Sequence, residues 1–450
     1  MKLGAVAKTS YGIGAVGKDM VYALSASYVM YYYQDIIGLS ATFVGAILMA
    51  ARVFDALNDP LMGILVAKTN TRFGRFRPWL LTGTVLNAFV LYALFAAPDA
   101  SKGTQSVYFA ILYIVWGVTY TMMDIPYWSM IPALTHTLKD REKLTVIGRT
   151  GAGIGSAIMS MTTVLLVGYL SHSEKEGFRR LALIVAVAFI ACELICFLFT
   201  KETGKAEMHN NTVGEMLKAL IKNDQAIAVV VTIILINTSL YINSNFLIYF
   251  FKYDAGGEGW RGSYTLFTTL GGLFQIFSMV ALYPLLRRKV TNENVFRLCV
   301  YGAVPAYLLV FLISTLGFAG NIWMLIIPGV FIFAANGILG VLTTVFLSNT
   351  VDYGEMKTGK REESVIFSLQ TFVVKAASGL AIFLCGVGLD LIGIAQDTSD
   401  AGTALQSAET LTGLRLMMTL PSVVGLILAL LYFNRKFKLT DKFMREMKVK

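Results

Sequence analysis

Two aspartates lie four residues apart in an apolar stretch, within the segment Arg52-Val53-Phe54-Asp55-Ala56-Leu57-Asn58-Asp59-Pro60. At helical spacing, Asp55 and Asp59 stack on one face with Asn58 beside them. One ionised carboxylate at bilayer depth costs about 2.5–3.5 kcal/mol on insertion scales, and a second like charge adds repulsion. The pair therefore favours a bound cation, and its oxygen ligands suit a hard one. Arg52, one turn earlier, is the alternative partner.

Further polar side chains interrupt the apolar stretches. Tyr120, Asp124 and Trp128 follow one another at intervals of four, which places them along one face of a helix. Ionisable residues inside membrane spans mark substrate or ion pathways by default. The remaining members of this set are Lys18, Asp19, Arg149, Thr371 and Lys375.

Several of these residues also have a purely structural interpretation. Lys18 and Asp19 could form a buried ion pair, and Arg149 could extend its charge to the membrane surface. Trp128 could belong to an interfacial aromatic belt. Four acids and several bases in one bundle nevertheless favour a polar cavity over separate structural roles.

The residue types indicate a carbohydrate as the ligand. Carboxylates accept hydrogen bonds from hydroxyl pairs, whereas Arg and Lys donate to hydroxyl oxygens. An indole such as that of Trp128 packs on the apolar face of a pyranose. A purely anionic substrate would favour bases without Asp19 and Asp124.

The bulk composition places the chain in a membrane. Of its 450 residues 56% are hydrophobic and only 15% are charged, and the mean hydropathy is +0.64. A soluble domain of this size is less apolar and more charged. The four cysteines lie in apolar segments and are expected to be small buried hydrophobes rather than disulfides or metal ligands.

Twelve apolar runs are long enough to span a bilayer. We predict an all-α integral membrane protein with two six-helix bundles, at 1–200 and 224–450, joined by a central cytoplasmic loop at 201–223. The second bundle ends in a short basic tail. The predicted spans are 10–34, 40–66, 78–97, 107–131, 144–170, 181–200, 224–251, 264–286, 295–316, 322–350, 364–394 and 411–433.

The net charge of +10 could suggest a nucleic-acid partner, but its distribution argues against one. Of the 38 Lys and Arg residues, 26 fall on the side of the two termini and six in the opposite loops. By the positive-inside rule, both termini are then cytoplasmic, in a cell membrane. Anionic lipid is the expected partner of the basic loops.

The chain resembles the glycoside–pentoside–hexuronide:cation symporters of the major facilitator superfamily, and among them the melibiose permeases. The likeness runs nearly from end to end, and the order and spacing of its motifs are specific. The matching motifs are Gly17-Lys18-Asp19, Tyr31-Tyr32-Tyr33, Asp55-Ala56-Leu57-Asn58-Asp59-Pro60, Arg75-Phe76-Arg77-Pro78-Trp79, Tyr120-Thr121-Met122-Met123-Asp124-Ile125-Pro126-Tyr127-Trp128-Ser129, Arg149, Asp352-Tyr353-Gly354-Glu355 and Gln370-Thr371-Phe372-Val373-Val374-Lys375.

The resemblance implies two sets of binding residues. The cation set, which accepts sodium, lithium or protons in melibiose permeases, falls on Asp55, Asn58, Asp59 and Thr121. Asn58 favours sodium, because its neutral carbonyl adds a ligand without a proton. The galactoside set falls on Lys18, Asp19, Tyr120, Asp124, Trp128 and Arg149, with Thr371 and Lys375 from the second bundle.

The sequence departs from that pattern at Gly340, where a Trp is expected, and at Tyr22, where a smaller aliphatic residue is expected. Both changes are expected to reshape the part of the cavity that holds the second sugar. The short loop 68–78 after the second span is basic, although the superfamily loop usually carries an acidic residue.

The predicted function is sodium-coupled symport of melibiose or a related α-galactoside by alternating access. The expected partners are this sugar, a monovalent cation and membrane lipid, with no nucleic acid and no cofactor, and the carrier is expected to work as a monomer. Two alternatives stay open: proton-coupled symport of a β-galactoside or xyloside, and lipid transport on the same fold. An intramembrane enzyme would need a metal or nucleophile cluster, and the sequence suggests none.

Overall fold

Helices make up nearly all of the described chain in the computed structural model. The structure describes residues 4–135, 138–202, 221, 223–358, 363–394 and 406–449. Within these ranges the extended pairing amounts to an isolated bridge between Thr71 and Gly74. The expectation of an all-α chain is confirmed.

The first six long helices belong to one compact unit. Its centre is α1, which packs against α5 and α6, while α4 packs against α2 and α3. A π-helical turn at Tyr32–Ile36 extends α1. The six helices are α1 (Ala5–Tyr31), α2 (Ala41–Lys68), α3 (Arg77–Leu94), α4 (Lys102–Leu134), α5 (Leu138–Leu170) and α6 (Glu174–Phe199).

The next six long helices and a short terminal helix belong to a second compact unit. Within it α7 packs against α11 and α12, and α10 packs against α8 and α9. Helix α8 continues through a π turn at Ser278–Leu282 to Arg287. The seven helices are α7 (Asp224–Phe250), α8 (Trp260–Phe277), α9 (Asn292–Thr315), α10 (Ile322–Thr358), α11 (Glu363–Leu391), α12 (Ala408–Lys436) and α13 (Asp441–Val449).

One long helix corresponds to each of the twelve predicted spans, although α3 ends at Leu94, before the predicted end of its span at residue 97. In the described part of the chain, nine of them, α4 to α12, are long and apolar enough to cross a bilayer. Some predicted spans end before the helix does, because the helix continues past its apolar run. Helix α10 has 37 residues, about 55 Å at 1.5 Å per residue, whereas a hydrocarbon core is about 30 Å thick. The cytoplasmic location of the termini stays a prediction.

Serine side chains fix several helix starts. Ser40, Ser101 and Ser407 each accept a hydrogen bond from a backbone N–H of the first turn, at Phe43, Thr104 and Thr410 respectively. These bonds satisfy donors that a helix N-terminus leaves without intrahelical partners. The start of α4, which carries the predicted site residues Tyr120, Thr121, Asp124 and Trp128, is set in this way.

A carboxylate from elsewhere in the chain supports the basic loop after α2. Glu202 accepts hydrogen bonds from the backbone N–H groups of Arg75, Phe76 and Arg77, at 2.8, 2.8 and 3.0 Å. Gly74 adopts a φ of +107°, and a Cβ there would overlap the same carboxylate. The acidic group that the loop itself lacks is therefore supplied from just beyond α6, at the positive end of the α3 dipole.

Small residues bring α1 close to both neighbouring helices. A Cβ at Gly151 or Gly155 of α5 would overlap the backbone carbonyl oxygen of Gly12 or Val16. Small residues four apart allow helix backbones to approach closely in membranes. On its α6 side, Gly17 of α1 packs against Cys192. This packing holds the polar residues of α1 at a fixed position in the bundle.

Candidate functional site

The ammonium group of Lys18 is the centre of a polar cluster in the first unit. Its Nζ donates to the Asp124 carboxylate at 2.7 Å and to the Tyr120 hydroxyl at 3.2 Å, and lies 3.0 Å from Asp19 Oδ2. Only 3% of Lys18 is exposed, whereas the side chains of Asp19 and Asp124 are 17% and 26% exposed. A buried cation thus holds two carboxylates that still face open space.

An indole completes the same cluster. Trp128 Nε1 donates to the oxygen of Asp124 that Lys18 contacts, at 3.1 Å. The Lys18 Nζ lies 5.2 Å from the Trp128 ring, and the Arg149 guanidinium carbon lies 4.5 Å from it. These distances fall within the range of cation–π attraction. The arrangement presents acceptors, donors and an aromatic face together, as carbohydrate binding requires.

Two tyrosines behind Trp128 tie α1 to α4. The rings of Tyr11 and Tyr127 stack with centroids 4.4 Å apart. Tyr11 donates from its hydroxyl to the Tyr127 carbonyl at 3.0 Å, and Tyr127 donates to the Tyr11 carbonyl at 2.5 Å. Gly148 of α5 packs against Tyr11 and Trp128, where a Cβ would stand 2.9 and 3.2 Å from their rings. The orientation of Trp128 is therefore fixed by three helices.

The predicted cation residues lie on α2 and α4. The Thr121 hydroxyl donates to Asp59 Oδ1 at 3.2 Å, so this pair is brought together. The buried Asn58 Nδ2 has no hydrogen-bond partner within the described ranges. Asp55 packs against α4 at Gly117, where a Cβ would stand 2.8 Å from the carboxylate oxygen. Asp55 and Asp59 of α2 therefore both lie against α4, and cation binding by these residues stays a prediction.

Arg52 takes the alternative role that the sequence left open for it. Its Nη1 lies 3.6 Å from Asp55 Oδ2, and only 5% of the residue is exposed. The ion pair does not exclude a bound cation.

Tyr22 lies between these two groups of residues. The Arg52 guanidinium carbon is 5.5 Å from its ring centroid, and the ring of Tyr120 is also 5.5 Å from it. Tyr120 in turn stacks on Trp116 at 5.2 Å and accepts the Lys18 hydrogen bond. The chain of contacts runs from Asp55 to Asp124 without leaving the first unit. The sequence identified Tyr22 as a departure from the family pattern, but it did not predict that Tyr22 lies between Arg52 and Tyr120.

Two predicted sugar residues lie in the second unit, on α11. The side chain of Thr371 lies outside the described residues, and Lys375 is half-buried. Their assignment to the sugar site stays a prediction. Gly340 of α10 is exposed, and a Cβ there would meet no described atom within 4 Å.

Sequence reasoning missed a buried acid in α6. Glu193 is 0% exposed, and its Oε2 lies against Gly14 of α1. It is the one charged residue in the predicted span 181–200. The criterion that singled out Asp55 and Asp124, an ionisable residue within an apolar run, would have found it.

Comparison with known proteins decides the family. The sequence profile described as "MFS/sugar transport protein" matches residues 10–441. The chain belongs to this family. As a member of the MFS/sugar transport family, the protein is a membrane transporter and not an enzyme, and the expected superfamily fold is confirmed.

Similar proteins include named sugar carriers. The chain is 26% identical to the lactose permease of Lactobacillus delbrueckii subsp. bulgaricus, over 98% of this chain and 72% of that protein. It is 28% identical to the putative glycoside/cation symporter YagG of Escherichia coli, over 96% and 92% of the two chains. The crystal structure of the nucleoside transporter NupG shares the fold, with a TM-score of 0.66 and 14% identity over 96% of this chain and all of the other.

Proposed function

We propose that this protein is a sodium-coupled symporter of a galactoside that works by alternating access. The observation that carries the proposal is Asp124, whose single Oδ1 receives both Lys18 and the indole of Trp128. Family membership supports sugar transport. The names of the relatives support a glycoside and a coupling cation. The choice of a galactoside rests on Asp19, Asp124 and Trp128. The choice of sodium rests on the oxygen-bearing side chains of α2 and Thr121.

The sugar would bind beside Trp128. The partly exposed carboxylates of Asp19 and Asp124 would accept hydrogen bonds from vicinal hydroxyl groups. The axial hydroxyl of galactose leaves a continuous C–H surface on the opposite face of the ring, which suits stacking on an indole. Arg149, already over that indole, would donate to ring or hydroxyl oxygens at the rim.

The cation would bind among Asp55, Asn58, Asp59 and Thr121. Their oxygens are the ligand type that Na⁺ shares with other hard cations. A monovalent ion there would screen the repulsion between the two carboxylates of α2. Bound Na⁺ would also compete with Thr121 for Asp59 Oδ1, which directly alters the α2–α4 contact.

Coupling would pass through Tyr22. A cation that draws Asp55 away from Arg52 changes the position of the guanidinium, and Tyr22 packs on that guanidinium as well as on Tyr120. Tyr120 and Asp124 both accept a hydrogen bond from the Lys18 ammonium group. Coupling is a reciprocal free energy between two binding events, typically 1–3 kcal/mol.

Uptake into proteoliposomes tests the proposal. Labelled melibiose, raffinose, lactose and a glucuronide would be offered with an inward sodium gradient, with a pH gradient, and with neither. We expect the α-galactosides to accumulate with sodium. If no sugar accumulates under any gradient, or only the glucuronide does, the galactoside assignment is wrong.

Proton coupling is the second candidate. The observation that favours it is the hydrogen bond from Thr121 to Asp59, an acid at which one proton could replace one sodium ion. Accumulation driven by the pH gradient and indifferent to sodium would establish this alternative.

A further inference from the structure

We infer that Glu193 is a proton-binding site of the first unit, separate from the cation residues of α2, and that it carries its proton in the substrate-free protein. The acid lies in the C-terminal third of α6, faces α1 and has no part in the proposed sugar or cation sets. Its ligand is a proton, supplied from water.

Burial is the first argument. Glu193 is 0% exposed, and neither carboxyl oxygen has a hydrogen-bond partner within the described part of the chain. An ionised carboxylate without donors in a low-dielectric interior is far more costly than a neutral acid. The neutral acid has only the smaller cost of an unsatisfied hydroxyl.

The surrounding charges are the second argument. Glu193 Oε2 packs against Gly14, which precedes Lys18 by one helical turn, about 6 Å along α1. Lys18 already contacts two carboxylates, so an ionised Glu193 would be a third acid around one ammonium. The ionisable groups that act on Glu193 are Lys18, Asp19 and Tyr11 of α1, Asp124 and Tyr127 of α4, and Cys192 and Cys196 of α6.

The proton then has a consequence for transport, which rests on the proposed function. While Glu193 is neutral, Lys18 stays with Asp19 and Asp124, the carboxylates assigned to the sugar. When alkaline pH removes the proton, Glu193 competes for the ammonium. The sugar site loses its geometry, and sugar affinity falls as pH rises.

Infrared spectroscopy of the full-length protein in lipid vesicles tests the protonation directly, without any sugar. We expect a protonated-carboxyl stretching band at neutral pH that is lost in Glu193→Gln. The matched control is Asp99→Asn in the loop between α3 and α4. Lys175 donates to the exposed Asp99 and holds the pKa of that carboxyl below its usual range, so this acid is already ionised.

The inference is overturned if Glu193→Gln leaves the band of the wild type unchanged. Should that variant not fold, ¹³C-glutamate labelling of the wild-type protein tests whether the band arises from a glutamic acid, and Glu193 is completely buried. A band that shifts with the label belongs to a glutamic acid, and an unshifted band overturns the inference.

Melibiose binding at neutral and alkaline pH tests the consequence. We expect the half-saturating concentration to rise about tenfold in the wild type, a coupling of ordinary size between two binding events, and to stay constant in Glu193→Gln. An equal rise in both proteins would contradict competition for Lys18. The infrared measurement uses no sugar. Its result for Glu193 would therefore remain valid even if the galactoside assignment were wrong.

Discussion

The guanidinium of Arg52 lies over the ring of Tyr22, with its carbon 5.5 Å from the ring centroid. Arg52 also contacts Asp55, and Tyr22 also contacts Tyr120 beside Lys18. The two residues therefore connect the acids of α2 with the polar cluster around α4. The following variants separate sugar binding, cation binding and the link between them.

Replacing Tyr22 with Ala should uncouple the two ligands. The ring that joins Arg52 to Tyr120 is removed, while the side chains assigned to each ligand stay in place. We expect sodium to lose most of its effect on sugar affinity, a coupling of about 1–3 kcal/mol. Calorimetric titration of melibiose with and without sodium measures this effect.

Tyr169→Ala is the matched control, since Tyr169 is 85% exposed. A Tyr22→Ala protein that keeps the sodium effect of this control would show that coupling follows another path.

Replacing Asp124 with Asn should abolish most sugar binding. The change removes the charged acceptor shared by Lys18 and Trp128, and hydrogen bonds to charged groups contribute about 1.5–3 kcal/mol each. We expect at least about a tenfold loss of melibiose affinity in equilibrium binding. Asp99→Asn, a loop substitution, should bind normally. Unchanged affinity in Asp124→Asn would exclude this carboxylate from the sugar site.

Replacing Thr121 with Ala should affect the cation and spare the sugar. The hydroxyl that contacts Asp59 is lost, whereas Lys18 and Asp124 are untouched. We expect a several-fold higher sodium concentration for half-maximal stimulation of uptake, with sugar binding in the absence of sodium unchanged. Thr162→Ala removes a hydroxyl that donates to its own helix at Ile158, and controls for the loss of a threonine. Equal sodium dependence in both variants would contradict the cation assignment.

Replacing Glu202 with Ala should destabilise the first unit. Three backbone N–H groups at the start of α3 lose a shared charged acceptor. Loss of a helix N-cap typically costs about 0.5–2 kcal/mol. We expect a lower Tm in detergent than for Glu409→Ala, which changes an exposed glutamate in the first turn of α12. Equal Tm values would show that the loop holds its shape without Glu202.

Much of the fold follows from the sequence because a bilayer allows few solutions. Each apolar run of sufficient length becomes a helix, since only a helix satisfies its backbone groups in lipid. The ends of α5 and α10 were less predictable because helices continue into water once started. The contact of Glu202 with the basic loop joins segments about 125 residues apart. A local sequence pattern cannot predict such a contact.

The site was predictable where residues share a helix face and not where helices meet. The stripe of Tyr120, Asp124 and Trp128 follows from helical spacing alone, and the structure brings Lys18 to it. The bridge formed by Tyr22 and the burial of Glu193 depend on how α1 packs between its neighbours. That packing is set by glycines such as Gly14 and Gly17, whose contacts the sequence does not specify.

Reciprocal titration of the purified wild-type protein tests the central claim most directly. The affinity for melibiose is measured with and without sodium, and the affinity for sodium with and without melibiose. Thermodynamic linkage requires both ratios to be equal. Sodium-coupled symport predicts one common factor between about 5 and 150. If both ratios equal one, so that melibiose binds equally well in the presence and absence of sodium, the account is contradicted.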